Sequence, residues 1–191
     1  LSNDKCSIEG CTRGVYARNV CADGWCRSHH LSWLKYGDPL VGFQRAFDER
    51  IDKSAGADGC WNWVGALLPN GYGYFHSKYP HRLAYEMANG PIPPKMEIDH
   101  TCHNRACVNI AHLRLVTPKQ NKEHRQGAQR NNACGIRGVR LMKHGRWRAV
   151  ARHNGKDVYI GMYDTAEKAA EAARQKRMEL FTHNDLDRQT A

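Results

Sequence analysis

No stretch of this sequence approaches the run of apolar residues needed to span a membrane, and no signal peptide is visible. Neither a helical membrane protein nor a secreted one is expected. Internal repeats are missing as well, so a solenoid is not expected. Large apolar side chains are scarce before residue 45. Acidic side chains are missing altogether from His124 to Lys156, where nine Lys or Arg residues stand. The whole 191-residue chain carries a net charge of +10. An excess of that size points to a polyanionic partner, because Lys and Arg displace condensed counterions from a phosphate backbone.

The chain is rich in cysteine and histidine at short spacings. Its eight cysteines are Cys6, Cys11, Cys21, Cys26, Cys60, Cys102, Cys107 and Cys134. Their closeness to histidines favours zinc over a disulfide framework, and an intracellular, reducing setting follows as the expectation. Three modules are expected. The first, 1–45, is cysteine-rich. The second, 46–127, carries turn signals at Pro69-Asn70-Gly71 and Gly90-Pro91. The third, 134–182, follows a polar linker over 126–133.

In the first module Cys6 and Cys11 are separated by four residues, and Cys26 and His29 by two. So short a segment rarely folds on its own core, and a structural metal would supply the missing stability. Cys6, Cys11, Cys26 and His29 are the expected zinc ligands, with Cys21 or His30 as open alternatives for one of them. A helix is expected from near Arg27 to a glycine stop at Gly37. The stretch from Gly24 to Pro39 resembles a small zinc module found at the front of phage endonucleases.

The second module holds Asp99-His100, then Cys102-x4-Cys107-x4-His112, then Asn121. A neutral histidine can take a proton from an attacking water, and a divalent cation can neutralise charge on a phosphate and its leaving oxygen. His100 is the candidate base. Asp99 and Asn121 are oxygen donors of the kind Mg²⁺ or Mn²⁺ prefers. Alternation along a strand would send Asp99 and His100 to opposite faces unless the strand end twists. Thr117-Pro118-Lys119-Gln120 has the form of a helix start, with Thr at the N-cap, Pro at the first position and Gln at the third. Asn121 then falls in the first turn. Cys102, Cys107 and His112 need a fourth ligand, and Cys60 is the remaining cysteine of the module. A closed Cys₃His zinc site would clamp the loop beside His100.

These residues resemble the His-Asn-His (HNH) endonuclease family, in particular the zinc-containing and phage-intron homing endonucleases. The likeness extends upstream through Cys60-Trp61-Asn62-Trp63-Val64-Gly65, Asn70-Gly71-Tyr72-Gly73-Tyr74-Phe75 and His81-Arg82-Leu83-Ala84-Tyr85-Glu86, covering roughly residues 58–125. It implies a ββα core on one divalent metal, with His100 as general base and Asp99 and Asn121 as metal ligands. Many relatives carry Arg where Tyr74 stands. The phosphate-binding cation is therefore expected from Arg82, with His81 and His76 behind it. Asn109 is expected to brace the zinc loop.

In the third module Arg146, Arg148 and Arg152 alternate with Trp147, Ala149 and Ala151. Strands are expected over 135–140 and 157–163, with an Asn154-Gly155 hairpin turn. Asp164-Thr165 should cap a helix running to about Leu180, with a small apolar stripe of Ala166, Ala169, Ala170 and Ala173. The segment 134–181 resembles the DNA-binding domain of plant ethylene-response factors, which implies Arg137, Arg140, Arg146, Arg148 and Arg152 as DNA contacts.

The expected fold class is therefore α+β in several small modules: a zinc knuckle, a ββα-metal nuclease core with structural zinc, and a three-stranded antiparallel sheet on one helix. The expected activity is site-specific, homing-type cleavage of double-stranded DNA, leaving 5′-phosphate and 3′-hydroxyl ends. It needs catalytic Mg²⁺ or Mn²⁺ and two structural Zn²⁺ ions. A monomer would nick and a homodimer would cut both strands, in a phage-infected bacterial cytoplasm or an equivalent compartment. The alternative is a non-catalytic, sequence-specific DNA-binding regulator derived from such a nuclease.

Overall fold

A computed structural model describes residues 5–9, 11–15 and 24–189, and the chain divides into two compact units, 1–80 and 81–191. In the first unit, α1 (Arg27–Tyr36) stops where Gly37 adopts a left-handed φ of 71° and its N–H donates to the Trp33 carbonyl at 2.7 Å. Glycine enters that conformation without a Cβ penalty. α2 (Val41–Asp48) follows closely. The Ser32 hydroxyl of α1 donates to the Asp38 carbonyl and accepts from Gly42 N–H at 2.8 Å. A Cβ on Gly42 would meet that same oxygen at 2.8 Å.

The rest of the first unit packs on aromatic rings. β1 (Ile51–Asp52) and β2 (Asn62–Trp63) pair antiparallel, setting Trp63 opposite Ile51. Phe47, Trp63 and Phe75 meet pairwise with centroids 5.2–5.7 Å apart, in the tilted and edge-on arrangements that aromatic quadrupoles favour. Gly65 and Gly73 lie against the Trp63 indole, where any Cβ would come within 2.8 Å of its ring. That explains two of the glycines in the tryptophan-glycine segments.

The second unit begins in α3 (Pro80–Asn89), whose Leu83 and Ala84 are buried. β3 (Glu97–His100) and β4 (Leu113–Val116) form an antiparallel ladder that sets Asp99 opposite Arg114 and His100 opposite Leu113. A short 3₁₀ turn, Ile110–His112, leads into β4, and α4 (Pro118–Glu123) follows it. Thr117 and Gln120 form the full capping box, and Pro118 sits inside the first turn, as the tetrapeptide requires.

The C-terminal part is a three-stranded antiparallel sheet, β5 (Val139–Leu141), β6 (Trp147–His153) and β7 (Lys156–Tyr163), in that order. Asn154 and Gly155, with φ of 50° and 79°, make the β6–β7 turn. α5 (Ala166–Leu180) is N-capped by Thr165 and lays Ala169 and Ala173, fully buried, against Val139 and Ala149. The small side chains let helix and sheet approach closely. The first strand starts later than expected. Gly135 and Gly138 take left-handed φ values, and a Cβ at Gly138 would strike the Val150 carbonyl oxygen at 2.5 Å. Residues 135–138 are therefore a looped entry, and pairing begins at Val139. A further helix, α6 (Asp185–Gln189), closes the described chain. The α+β class, with small antiparallel sheets and six helices among the described residues, is the one expected. No described helix is long and apolar enough to cross a membrane.

Replacing Trp63 with Ala should cost about 3–5 kcal/mol by opening a cavity among Phe47 and Phe75. Val64→Ala, at an exposed position, should stay within about 0.5 kcal/mol. Denaturant midpoints of the two variants measure the difference.

Candidate functional site

In the first unit the side chains of Cys6, Cys11, Cys26 and His29 offer ligand atoms that all lie within 4.8 Å of one another. Cys6 Sγ is 3.2 Å and Cys26 Sγ 3.5 Å from His29 Nδ1, and the Cys11 and Cys26 sulfurs are 4.0 Å apart. A tetrahedral zinc with bonds of about 2.3 Å to sulfur puts its ligands roughly 3.8 Å apart, so these separations fit the ion. The Cys6 sulfur accepts the Cys26 backbone N–H at 3.2 Å. Burial pushes the Cys11 thiol up, but hydrogen bonds from the Arg13 backbone and side chain outweigh it and hold the thiol below its usual range. Of the alternative ligands, Cys21 lies outside the described residues, and His30 is buried and stacked near Trp33.

In the second unit Cys102, Cys107 and His112 likewise offer atoms within 4.8 Å of one another. Asn109 braces this loop. Its side-chain oxygen accepts Ala111 N–H at 3.0 Å, capping the 3₁₀ turn, and its own N–H reaches the Cys107 sulfur at 3.4 Å. Cys60 belongs to the first unit.

His100 stands at the end of β3 and is buried. Its Nε2 lies 3.1 Å from the Cys107 carbonyl oxygen. A carbonyl only accepts, so Nε2 carries the proton and Nδ1 carries the lone pair. Burial pushes the His100 pKa below its usual value, while the Cys107 carbonyl and the charge of Asp99 pull it back only in part. The imidazole is therefore neutral at pH 7. The ring of His81, on α3, lies 4.7 Å from that of His100. Burial, with the nearby His100 and Arg82, depresses His81 to about 3, so it too is neutral. Arg82 is half-buried on α3 and has no salt bridge among the described residues.

Asp99 has other neighbours. Its carboxylate accepts from Arg114 Nε at 2.9 Å, the partner set opposite it by the ladder, and from His124 Nδ1 at 2.9–3.0 Å. Burial alone would raise its pKa, but the His124 and Arg114 bonds more than offset this and keep it low and ionised. A carboxylate offers about four acceptor positions, so lone pairs remain for a cation. Asn121 donates its Nδ2 to Glu97 Oε2 at 2.6 Å, which turns the amide oxygen into the group's remaining donor atom. Glu97 and Asp99 are two apart on β3 and so share a face, the one served by α4 and His124. An ionised carboxylate and an amide oxygen suit a hard divalent cation. His100, by contrast, contacts His81 and the Cys107 carbonyl.

Arg114, His124, Glu97 and Asp185 were not singled out from the sequence. Arg114 Nη1 and His124 Nε2 both reach Asp185 Oδ2 of α6, at 2.8 and 3.3 Å, and His103 stacks on His124 with centroids 4.1 Å apart. Only the Asp99–Arg114 pair had a signal, as opposite charges facing each other across a predictable hairpin.

On the sheet, Arg140 and Arg148 are direct cross-strand neighbours. Like charges so placed repel, and a polyanion relieves the repulsion. Arg148 lies over the Tyr159 ring at 5.6 Å. Arg146 pairs with Asp164 and Arg152 with Asp157, both at 3.4 Å and mostly exposed. The Arg137 guanidinium donates to the carbonyls of Arg125 at 2.6 Å and Glu123 at 2.9 Å and covers the Phe181 ring.

The HNH endonuclease family matches residues 78–123, which include Asp99, His100 and Asn121, and the AP2 domain matches residues 134–183. Protein 7.7 of Escherichia phage T7 is 43% identical over 68 residues, 34% of this chain and 52% of that protein. An uncharacterized HNH endonuclease, L560, of Acanthamoeba polyphaga mimivirus is 30% identical over 102 residues, 53% of this chain and 52% of that one. Protein 3.8 of phage T7 is 30% identical over 105 residues, 54% of this chain and 86% of its own length. The chain spans about half the length of the first curated relatives it matches. No solved structure matches it.

Cys26→Ser and Cys107→Ser should each lose one bound zinc and lower the melting temperature, because the metal stabilises a loop with little core of its own. Metal analysis of the purified variants checks both. Full zinc content in either would remove that cluster from consideration.

Proposed function

Given that the chain belongs to the HNH endonuclease family and carries an AP2 domain, we propose that it is a site-specific, homing-type DNA endonuclease that hydrolyses a phosphodiester bond with His100 as general base. The observation that carries this reading is the bond from His100 Nε2 to the Cys107 carbonyl, which leaves Nδ1 as the basic nitrogen of a neutral, buried imidazole. Nδ1 takes a proton from water as the water oxygen bonds to phosphorus. The bond from phosphorus to the 3′ oxygen breaks, that oxygen takes a proton from solvent and His100 returns its own to solvent, giving 5′-phosphate and 3′-hydroxyl ends. Asp99 and Asn121 would hold Mg²⁺ or Mn²⁺, whose charge would offset that of the phosphate and leaving oxygen. Arg82 supplies a cation toward the phosphate, and Glu97 orients Asn121.

The remaining assignments follow the same reading. Cys102, Cys107 and His112 hold one structural zinc, and the N-terminal cluster holds the second. Three expected modules, 1–45, 46–127 and 134–182, supply the zinc knuckle, the cutting core and the reading sheet. Arg137, Arg140, Arg146, Arg148 and Arg152 contact duplex DNA. Two copies acting together would break both strands.

Duplex DNA with Mg²⁺ tests the activity. His100→Ala should cut about 10²–10⁴-fold more slowly at unchanged DNA affinity. Equal cutting by both proteins removes His100 as base. Sequence-specific binding without cleavage under any divalent cation favours the non-catalytic regulator instead.

A further inference from the structure

The second unit contains a cleft of about 710 Å³ between α4, the 126–133 segment and the β5–β6 side of the sheet. Lys119, Lys122 and Arg125 line it from the α4 side, and Arg140 and Arg152 from the sheet. Its acidic lining residues are Glu123 and Asp157. Glu123 is buried and accepts from Thr182 N–H and hydroxyl at 2.9 and 3.1 Å, and Asp157 pairs with Arg152. Lys122 and Arg125 are exposed, and neither has a salt bridge among the described residues. The cations therefore outnumber the anions that could neutralise them.

The cleft has a fixed shape because α4 is fastened to the C-terminal domain. The last carbonyls of a helix lack partners within it. Here Arg137 donates to the carbonyl of Glu123, the last residue of α4, and to that of Arg125 just past it, and Arg177 in turn donates to the Arg137 carbonyl at 3.1 Å. Asp187 holds Arg177 at 2.6 Å. A row of basic groups on a rigid concave surface, running from the helix that bears Asn121 to the arginine sheet, matches the charge and continuity of a phosphate backbone.

We propose that this cleft binds the DNA backbone between the scissile phosphate and the base pairs read by the sheet, with Lys122 and Arg125 as its phosphate contacts. The placement of its two ends rests on the endonuclease reading; the cleft's affinity for the backbone does not.

The test uses the full chain, duplex DNA bearing its selected target, and EDTA at a level that leaves structural zinc in place, so that binding is read without cleavage. Lys122→Ala/Arg125→Ala alters side chains that Arg137 does not use. It should weaken binding about tenfold or more and reduce the slope of log affinity against log salt by about 1.8, from about 0.9 for each phosphate released. Hydroxyl-radical footprinting should show protection continuing from the recognised base pairs toward the nuclease core in the wild type. That protection should be lost in the double variant, while protection over the recognised base pairs remains. Unchanged affinity, salt slope and footprint would overturn the proposal. Circular dichroism matching the wild type separates these effects from misfolding. A wild type that shows the full footprint but never cuts with Mg²⁺ would sink the endonuclease reading and leave the cleft standing.

Discussion

A carboxylate taken out of water must have its charge answered, and the second unit is organised around one that is. Asp99 is held by Arg114 from the neighbouring strand and by His124 from the residue after α4. Arg114 also reaches Asp185 of α6, and His124 Nε2 lies 3.3 Å from the same carboxylate. Breaking a buried pair by removing one partner is far more damaging than never having built it. The hairpin, the short helix and the C-terminal segment therefore depend on one another through this network. It also keeps Asp99 ionised.

The sulfur cluster of the second unit has a closer relation to His100 than ligand spacing suggested. A closed metal site reads from the sequence as a clamp with no part in the chemistry. The structure adds that the carbonyl of Cys107, one of the candidate ligands, accepts the hydrogen bond of His100 Nε2–H. The loop's conformation thus selects the tautomer. A ring nitrogen's role is set by the bond its partner nitrogen makes, and here that bond is made by backbone.

Local chemistry was the legible part of the sequence. Gly37 ends α1, Thr117 and Gln120 start α4, Asn154-Gly155 turns β6 into β7, and the alanines of α5 face the sheet, because each depends on residues a few positions apart. The candidate zinc ligands of the first unit were legible for the same reason. Arg137 stands in a segment that glycines bend, and its carbonyl partners lie twelve to fifteen positions away, a separation that leaves no local pattern. His124 and Asp185 carried no pattern at all, since ion pairs across 25 and 61 positions leave no periodic trace. The short α6 was missed because no apolar stripe marks it.

α4 has only six residues, yet it takes part in two domains at once. Its capping box belongs to the hairpin behind it, and the carbonyls at its far end belong to Arg137. Fusion proteins are usually pictured as independent parts joined by string. Here, grafting a different AP2 domain after residue 133 would strip acceptors of their donor and leave Glu123 buried without Thr182. Exchange of that domain between such proteins would therefore have to carry the helix end along with the sheet, as a single inherited block.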